Sequence, residues 1–410
     1  MRRFAALLAV LSLVVYLGCG DQPPPAGPTS DQGAAKLTVS GLAAGGFQGR
    51  NRPTPEVSKS MLIYGLGHPT IAEKTPRQVA QMLDNMGLNH VVFGGMPYDA
   101  EPMNSIIDEL HRRGIKVYGE TTQFHGWDAT IPASRPTNAL GDSLPQVEWY
   151  QGVNPSVPDV FEKALAKWRT SVDRHPNLDG MWMDFIRWPL HWEVRDWEEG
   201  ETPYQYDSSF DEATLARFEE ASGIDIPDNL DTASARADWI YANAPDEFGE
   251  WKTSVINDFV RQAHDYLKST GQHKLLGAFT VPWRTDYYDE AILKIVGQDY
   301  AAMAEWVDVF SPMAYYDMMG GDGTRYSTDW LGEIATYTKQ VTGRTTIPIV
   351  MAFSISLDKY GDELTAQELR DSVTKTATAP GSDGVMLFWY NSIMDTGRLP
   401  EVVDALAALP

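Results

Sequence analysis

Between Met61 and Asn391, short β-branched and aromatic runs alternate eight times with amphipathic helical stretches. This alternation predicts an α/β chain closed into a (β/α)8 TIM barrel. Two further observations support that fold class. About 350 residues follow the N-terminal region, which suits the ~250-residue norm plus insertions. Long connections follow the third and fourth runs, on the side where such a barrel carries its working face. A doubly wound open sheet would carry a glycine-rich phosphate turn after its first strand, and "YGLGHPT" matches one poorly.

The eight runs are 61–68, 88–96, 115–122, 178–185, 274–283, 307–317, 347–354 and 383–391. The helical stretch 75–87 places Val79, Met82, Leu83 and Met86 on one face, with Thr75 and Pro76 as its start signal and Gly87 as its stop. Stretches 105–114, 159–172, 247–271, 328–343 and 365–377 behave likewise. Two connections are long, 123–158 and 187–246; the second contains the helix-like "FDEATLARFEEASGIDIP" at 210–227. Long loops at that end of a barrel shape a substrate cleft.

At the N-terminus, Arg2 and Arg3 precede an apolar stretch from Phe4 to Leu17, then Gly18 and Cys19. A basic start, a short apolar region and a small residue describe a secretory signal, too short to span a membrane. The Gly-Cys junction resembles a bacterial lipobox, with Tyr16 as a departure from it. It implies that residues 1–19 are a lipoprotein signal and that Cys19 is lipidated, anchoring an exported chain in the cell envelope. Cys19 is the one cysteine in the sequence, which leaves no disulfide or thiolate metal site. Residues 20–59 are rich in Pro, Gly, Ser and Thr and are expected to form a flexible tether to a domain spanning 60–410.

The net charge of −23 falls to about −25 once the two arginines of the signal are removed. Such acidity argues against nucleic acid as a partner and against docking on anionic lipid, leaving the lipid anchor as the one membrane contact. A neutral substrate suits it.

If the barrel holds, functional side chains gather at the strand ends: His68, Glu120, Asp184, Trp283, Tyr315, Asp317, Trp389 and Tyr390. Aromatic faces stack on sugar C–H faces, and carboxylates bind hydroxyls or move protons. Trp182 lies mid-strand and is expected in the core. Trp188, Trp192 and Trp197 lie past the fourth strand, where ligand contact is more natural. In "LDGMWMDFIRWP" (178–189), alternation puts Gly180, Trp182, Asp184 and Ile186 on one face and Met181, Met183 and Phe185 on the other. Asp184 is thereby aimed at the barrel axis, with Arg187 near enough to pair with it.

This stretch resembles the strand-four signature of glycosyl-hydrolase-like TIM-barrel proteins, the "family 10-like" group of hypothetical glycosidases. That pattern is Asp-Gly, two or three apolar residues, Asp, an aromatic, Ile, Arg, an aromatic and Pro. The similarity continues through "FDEATLARFEEASGIDIP", "WKTSVINDFVRQAH" and "VDVFSPMAYYDM", and so covers most of 61–391. A more distant similarity is to glycoside hydrolase family 18, whose Asp-Gly-x-Asp-x-Asp-x-Glu aligns with Asp179, Gly180, Trp182, Asp184 and Ile186. The catalytic Glu of that family falls on Ile186, so its mechanism does not transfer. Tyr315 and Trp389 match that family's strand-six Tyr and strand-eight Trp, while Asp317 is displaced by one residue.

Both resemblances imply a glycoside hydrolase acting on a poly- or oligosaccharide. Its two carboxyl groups would flank the scissile bond, one protonated and one ionised. Asp184 is the expected ionised member, as nucleophile or base, held down by Arg187. Asp317 leads as the acid, with Glu193 and Glu120 as rivals; Glu120 can instead bind a substrate hydroxyl. His125, Arg187, Trp188, Trp192, Trp283, Tyr315, Trp389 and Tyr390 complete the expected substrate-binding set. No H-x-H, H-E-x-x-H, phosphate cradle or nucleophile elbow occurs, so neither metal nor cofactor is expected. The alternative is a barrel without catalysis that binds carbohydrate or another envelope component.

Overall fold

The computed structural model describes residues 57–144, 150–190, 204, 207–316, 326–354 and 364–410. Among the described residues nine strands form one all-parallel sheet: β1 (Ser58–Tyr64), β2 (His90–Gly94), β3 (Lys116–Thr122), β4 (Gly180–Asp184), β5 (Leu275–Thr280), β6 (Val309–Pro312), β7 (Thr345–Thr346), β8 (Ile349–Met351) and β9 (Gly384–Phe388). Their order is β7-β6-β5-β4-β3-β2-β1-β9-β8. The ninth strand is the two-residue β7, which precedes the seventh predicted run (347–354); that run holds β8, and between the two strands lies Pro348, which has no N–H to give to a ladder. β7 pairs with β6, β8 pairs with β9, and a parallel bridge from Met313 to Ile349 joins the two edges. The sheet thus curls round on itself, as the alternation predicts.

Helix signals in the sequence also hold. Thr75 closes a capping box with Gln78 at the start of the helix Pro76–Asn85, and Gly87 follows its end at φ +76°. Asp211 caps the helix Glu212–Ser222, which stops at Gly223 in the left-handed conformation. A further helix that the pattern did not announce, Ala233–Asn243, lies in the same long connection after β4. It runs into Pro245–Thr270, the longest helix among the described residues.

Strand ends differ from expectation at two places that matter. β1 begins at Ser58, inside the expected tether, because Ser58 and Lys59 pair with Gly384 and Val385 of β9. β4 stops at Asp184, since Phe185 turns away at φ +51°. Residue Cys19, together with the expected signal and most of the tether, lies outside the described residues.

Two layers of apolar packing result. Met181 and Met183 face the helices, as their alternation requires. Inside the sheet Leu62, Val92, Tyr118, Trp182, Phe279 and Met386 form a separate cluster. Trp182 fits there because residue 277 is glycine: a Cβ at that position would sit 2.1 Å from the indole. Its Nε1 donates to Ser311 Oγ at 3.1 Å, so the buried indole N–H is satisfied.

Candidate functional site

Asp184 ends β4 on the inner face and is 7% exposed. Its Oδ1 accepts the backbone N–H of Phe185 at 2.7 Å, a bond that the left-handed turn at Phe185 makes available. A non-glycine residue at positive φ is strained, and such strain gathers at functional sites. Burial raises the Asp184 carboxyl to about 6; the Phe185 N–H and the charge of Arg187 pull the other way. Arg187 acts on Asp184 through space, and no contact ion pair joins these two residues. Its guanidinium lies 5.0 Å from the Phe185 ring and 5.6 Å from Tyr150, with Nη1 donating to the Tyr150 hydroxyl at 3.4 Å.

A second carboxyl lies beside and below. Register pairs Asp184 with Thr122 and Trp182 with Glu120, so Glu120 sits on the neighbouring strand two residues deeper. With strands ~4.8 Å apart and a rise of ~3.3 Å per residue, their Cα atoms are separated by roughly 8 Å. Glu120 is fully buried. Its Oε2 accepts the Gly95 N–H at 2.8 Å, and Thr122 Oγ1 donates to Oε1 at 3.3 Å. Burial, then the charge of Asp184, push Glu120 up to about 8, against the Gly95 N–H, Lys167 and Thr122. At neutral pH the two environments favour a protonated Glu120 beneath an ionised Asp184.

Phenols and rings enclose the pair. Tyr64 is raised by burial and then by Glu120 and Asp184, and Tyr315 by burial and Asp184. Tyr98 donates to the Gly94 carbonyl and accepts from the Gly65 N–H at 2.8 Å. Trp389, 9% exposed, packs edge-on against Phe353 at 5.0 Å and Tyr64 at 6.4 Å. Tyr315 lies against Phe388 at 4.9 Å. These rings form an aromatic wall beside the carboxylates on the inner cluster.

Three residues expected at a ligand surface are core residues instead. Trp188 is fully buried in the outer layer, donates through Nε1 to the Lys252 carbonyl at 3.0 Å, and packs on Trp251. Trp283 is 4% exposed, belongs to the same layer and lies 5.1 Å from Tyr288. Tyr390 is fully buried and its hydroxyl bonds Thr70 Oγ1 at 2.6 Å. Ile186, expected to point inward, also joins the outer layer, because the turn at Phe185 ends the alternation. His68 caps the helix Pro69–Ala72 and reaches Asp395. His125 accepts the Gln151 N–H through Nε2 and lies 5.2 Å from Phe185, beside the strand end. Asp317, Glu193, Trp192 and Trp197 lie outside the described residues. Tyr64, Tyr98 and Phe353 were not singled out from sequence; for Tyr64 the signal was its place two residues after inward-facing Leu62.

Among the described residues no group of three or more His, Cys, Asp or Glu side chains is placed to hold a metal ion. Two surface hollows, one beside Arg217 and Trp251 and one beside Tyr337 and Lys375, lie in the helix layer and share no residue with the carboxyl pair.

No family model matches the chain, and no curated protein does. Solved structures do. The glycoside hydrolase domain of PgaB (BpsB) from Bordetella bronchiseptica aligns with a TM-score of 0.62 at 12% identity, over 87% of this chain and 100% of that one. β-Galactosidase from Bacillus circulans sp. alkalophilus gives 0.59 at 13% identity, over 87% of this chain and 56% of that one. The β-galactosidase of the haloarchaeon Halorubrum lacusprofundi gives 0.56 at 12%, over 81% and 52%. The chain spans about half the length of these two β-galactosidases. The likeness establishes the fold alone, a TIM barrel.

Proposed function

We propose that this protein hydrolyses O-glycosidic bonds in an oligo- or polysaccharide, with Asp184 as the ionised carboxylate at the sugar. The observation that carries this reading is the placement of Asp184: at the inner end of β4, barely exposed, free of a contact ion pair with Arg187, and beside an aromatic wall containing Trp389. A carboxylate burial would otherwise disfavour is retained where a ring could stack and a glycosidic bond could lie. In the reaction, Asp184 attacks the anomeric carbon or takes a proton from the attacking water. The C–O bond breaks, and the leaving oxygen receives its proton from a second acid. Asp317 and Glu193 follow β6 and β4 in the chain and are the proposed sources of that acid. Solved barrels of this fold include proteins named as glycoside hydrolases and β-galactosidases, which supports the substrate class.

A second reading has one observation in its favour. Ile186, at the position of the catalytic Glu in the family 18 pattern, is buried in the outer layer and brings no carboxyl to the site. A barrel that binds glycan without cleaving it would look like this. Screening the full-length protein against a glycan panel, with Asp184→Asn as control, separates the two. The hydrolase reading expects turnover that falls by about a thousandfold or more in the variant while glycan binding persists. Binding without turnover in the wild type favours the second reading.

We also propose that the chain is exported and held in a bacterial cell envelope by lipid on Cys19, on the strength of the lipobox-like junction. Cys19→Ser should move the protein from the membrane to the soluble fraction; retention at the membrane would defeat the assignment.

A further inference from the structure

We propose that Glu120 is a positioning residue that holds a proton beneath Asp184 and so keeps Asp184 as the charged member of the pair. This rests on the reading of Asp184 as the reacting carboxylate, and it adds a role that reading does not supply.

Glu120 stands behind Asp184 and not at the open end of the strand. It lies two residues below the rung of Asp184, paired with Trp182, and has no exposed surface. A side chain buried at that depth acts on Asp184 through the interior of the barrel. Yet the chain maintains a carboxyl there at several points. Residue 94 is glycine, and a Cβ in its place would come within 3.0 Å of Glu120 Oε2 and 2.6 Å of the Tyr64 ring. The N–H of Gly95 and the hydroxyl of Thr122 are both aimed at the carboxyl oxygens. An apolar residue would fill the same space at lower cost unless the carboxyl had a use.

The groups facing it decide its protonation. From β1 comes the Tyr64 phenol, from the loop after β2 the Tyr98 phenol, and from β4 the Asp184 carboxyl. Lys167, on the helix Pro158–Arg174, exerts the cationic influence; its ammonium donates to the Thr122 carbonyl at 3.3 Å, and among the described residues no ion pair joins it to Glu120. Arg187 exerts its charge on Asp184. Two carboxylates this close do not both ionise readily, and the deeper one, further from water and from Arg187, keeps the proton. As a neutral acid, Glu120 leaves Asp184 ionised and available at the surface of the site. Above about pH 8 Glu120 would ionise as well, and a second negative charge would disturb Asp184.

The test combines infrared spectroscopy with a pH profile, both on the full chain. Difference spectra at pH 7 should show the C=O band of a protonated carboxylic acid in the wild type that disappears in Glu120→Gln. The same variant mimics the neutral acid, so its turnover near pH 7 should stay within about tenfold of wild type while the alkaline limb near pH 8 is lost. Glu120→Ala, lacking the polar oxygen, should lose more. A spectrum with no Glu120 acid band at pH 7 overturns the proposal, and so does Glu120→Gln activity as low as that of Asp184→Asn, since that would make Glu120 the proton donor. If the wild type turns over no glycan while the band is present, the hydrolase reading fails and the proton assignment survives.

Discussion

Tyr64 and Gly94 occupy the same rung of β1 and β2, and the tyrosine ring lies over the glycine where a side chain would otherwise project. The missing Cβ is what lets a large ring and the Glu120 carboxyl share the upper barrel. Gly94→Ala would place a methyl 2.6 Å from the ring, closer than real carbon contacts allow. We expect a loss of about 1–3 kcal/mol in urea unfolding, with displacement of Tyr64 and reduced turnover. A variant as stable and active as wild type would show that this close approach has no consequence.

The two tryptophans Trp389 and Trp188 should respond differently. Trp389 packs in the inner cluster beside the carboxylates, so Trp389→Ala should cost stability and, on the proposed hydrolase reading, also raise KM for glycan in the protein that remains folded. Trp188 is sealed against Trp251 and Lys252, so Trp188→Ala should cost about 3–5 kcal/mol of stability through the cavity it leaves. Glycan titration and denaturant melts on both proteins check this. A selective KM effect from Trp188→Ala would return that residue to the site.

Stability should depend on pH through Glu120 in an unusual direction. Folded Glu120 keeps its proton to about pH 8, whereas the unfolded chain loses it near the ordinary 4.5. Between those values the native state binds more protons, so stability falls as pH rises through this window and levels off above it. Asp184, raised from 3.8 to about 6, contributes in the same sense over a narrower range. The combined loss should be on the order of a few kcal/mol. Glu120→Gln has no proton to lose and should show a shallower decline, becoming relatively more stable at pH 8. Parallel urea-midpoint curves for variant and wild type from pH 5 to 8 would contradict the shift.

The loop after β4 is anchored by a buried ion pair. Lys252, on the helix Pro245–Thr270, bonds Asp207, and both are fully buried; Tyr241 donates to Asp207 Oδ2 at 2.9 Å. Burial works against both charges, so each depends on the other. Lys252→Met alone should cost about 3–5 kcal/mol by leaving Asp207 unpaired. Adding Asp207→Asn, which still accepts from Tyr241, should recover most of that loss. Failure of the double variant to regain stability would mean the pair acts by charge alone.

The local part of this protein was legible from its sequence. Strand runs, capping boxes and glycine stops depend on neighbours within a few residues, and they placed the eight runs, most of the helices and Asp184 at the inner end of β4. Depth in the barrel was not legible. Whether Glu120 lies level with Asp184 or beneath it depends on the register of two strands separated by a long connection, and no periodicity within either strand encodes that offset. The direction of side chains beyond a strand end was equally hidden. Phe185 adopts a left-handed conformation that breaks the two-residue alternation, and this one turn sends Ile186 and Trp188 into the outer layer. The sequence by itself determined that an acid would stand at this strand end. That Glu120 lies beneath it, and that Tyr64, Tyr315 and Trp389 share its surroundings, follows from packing between distant segments that no local pattern encodes.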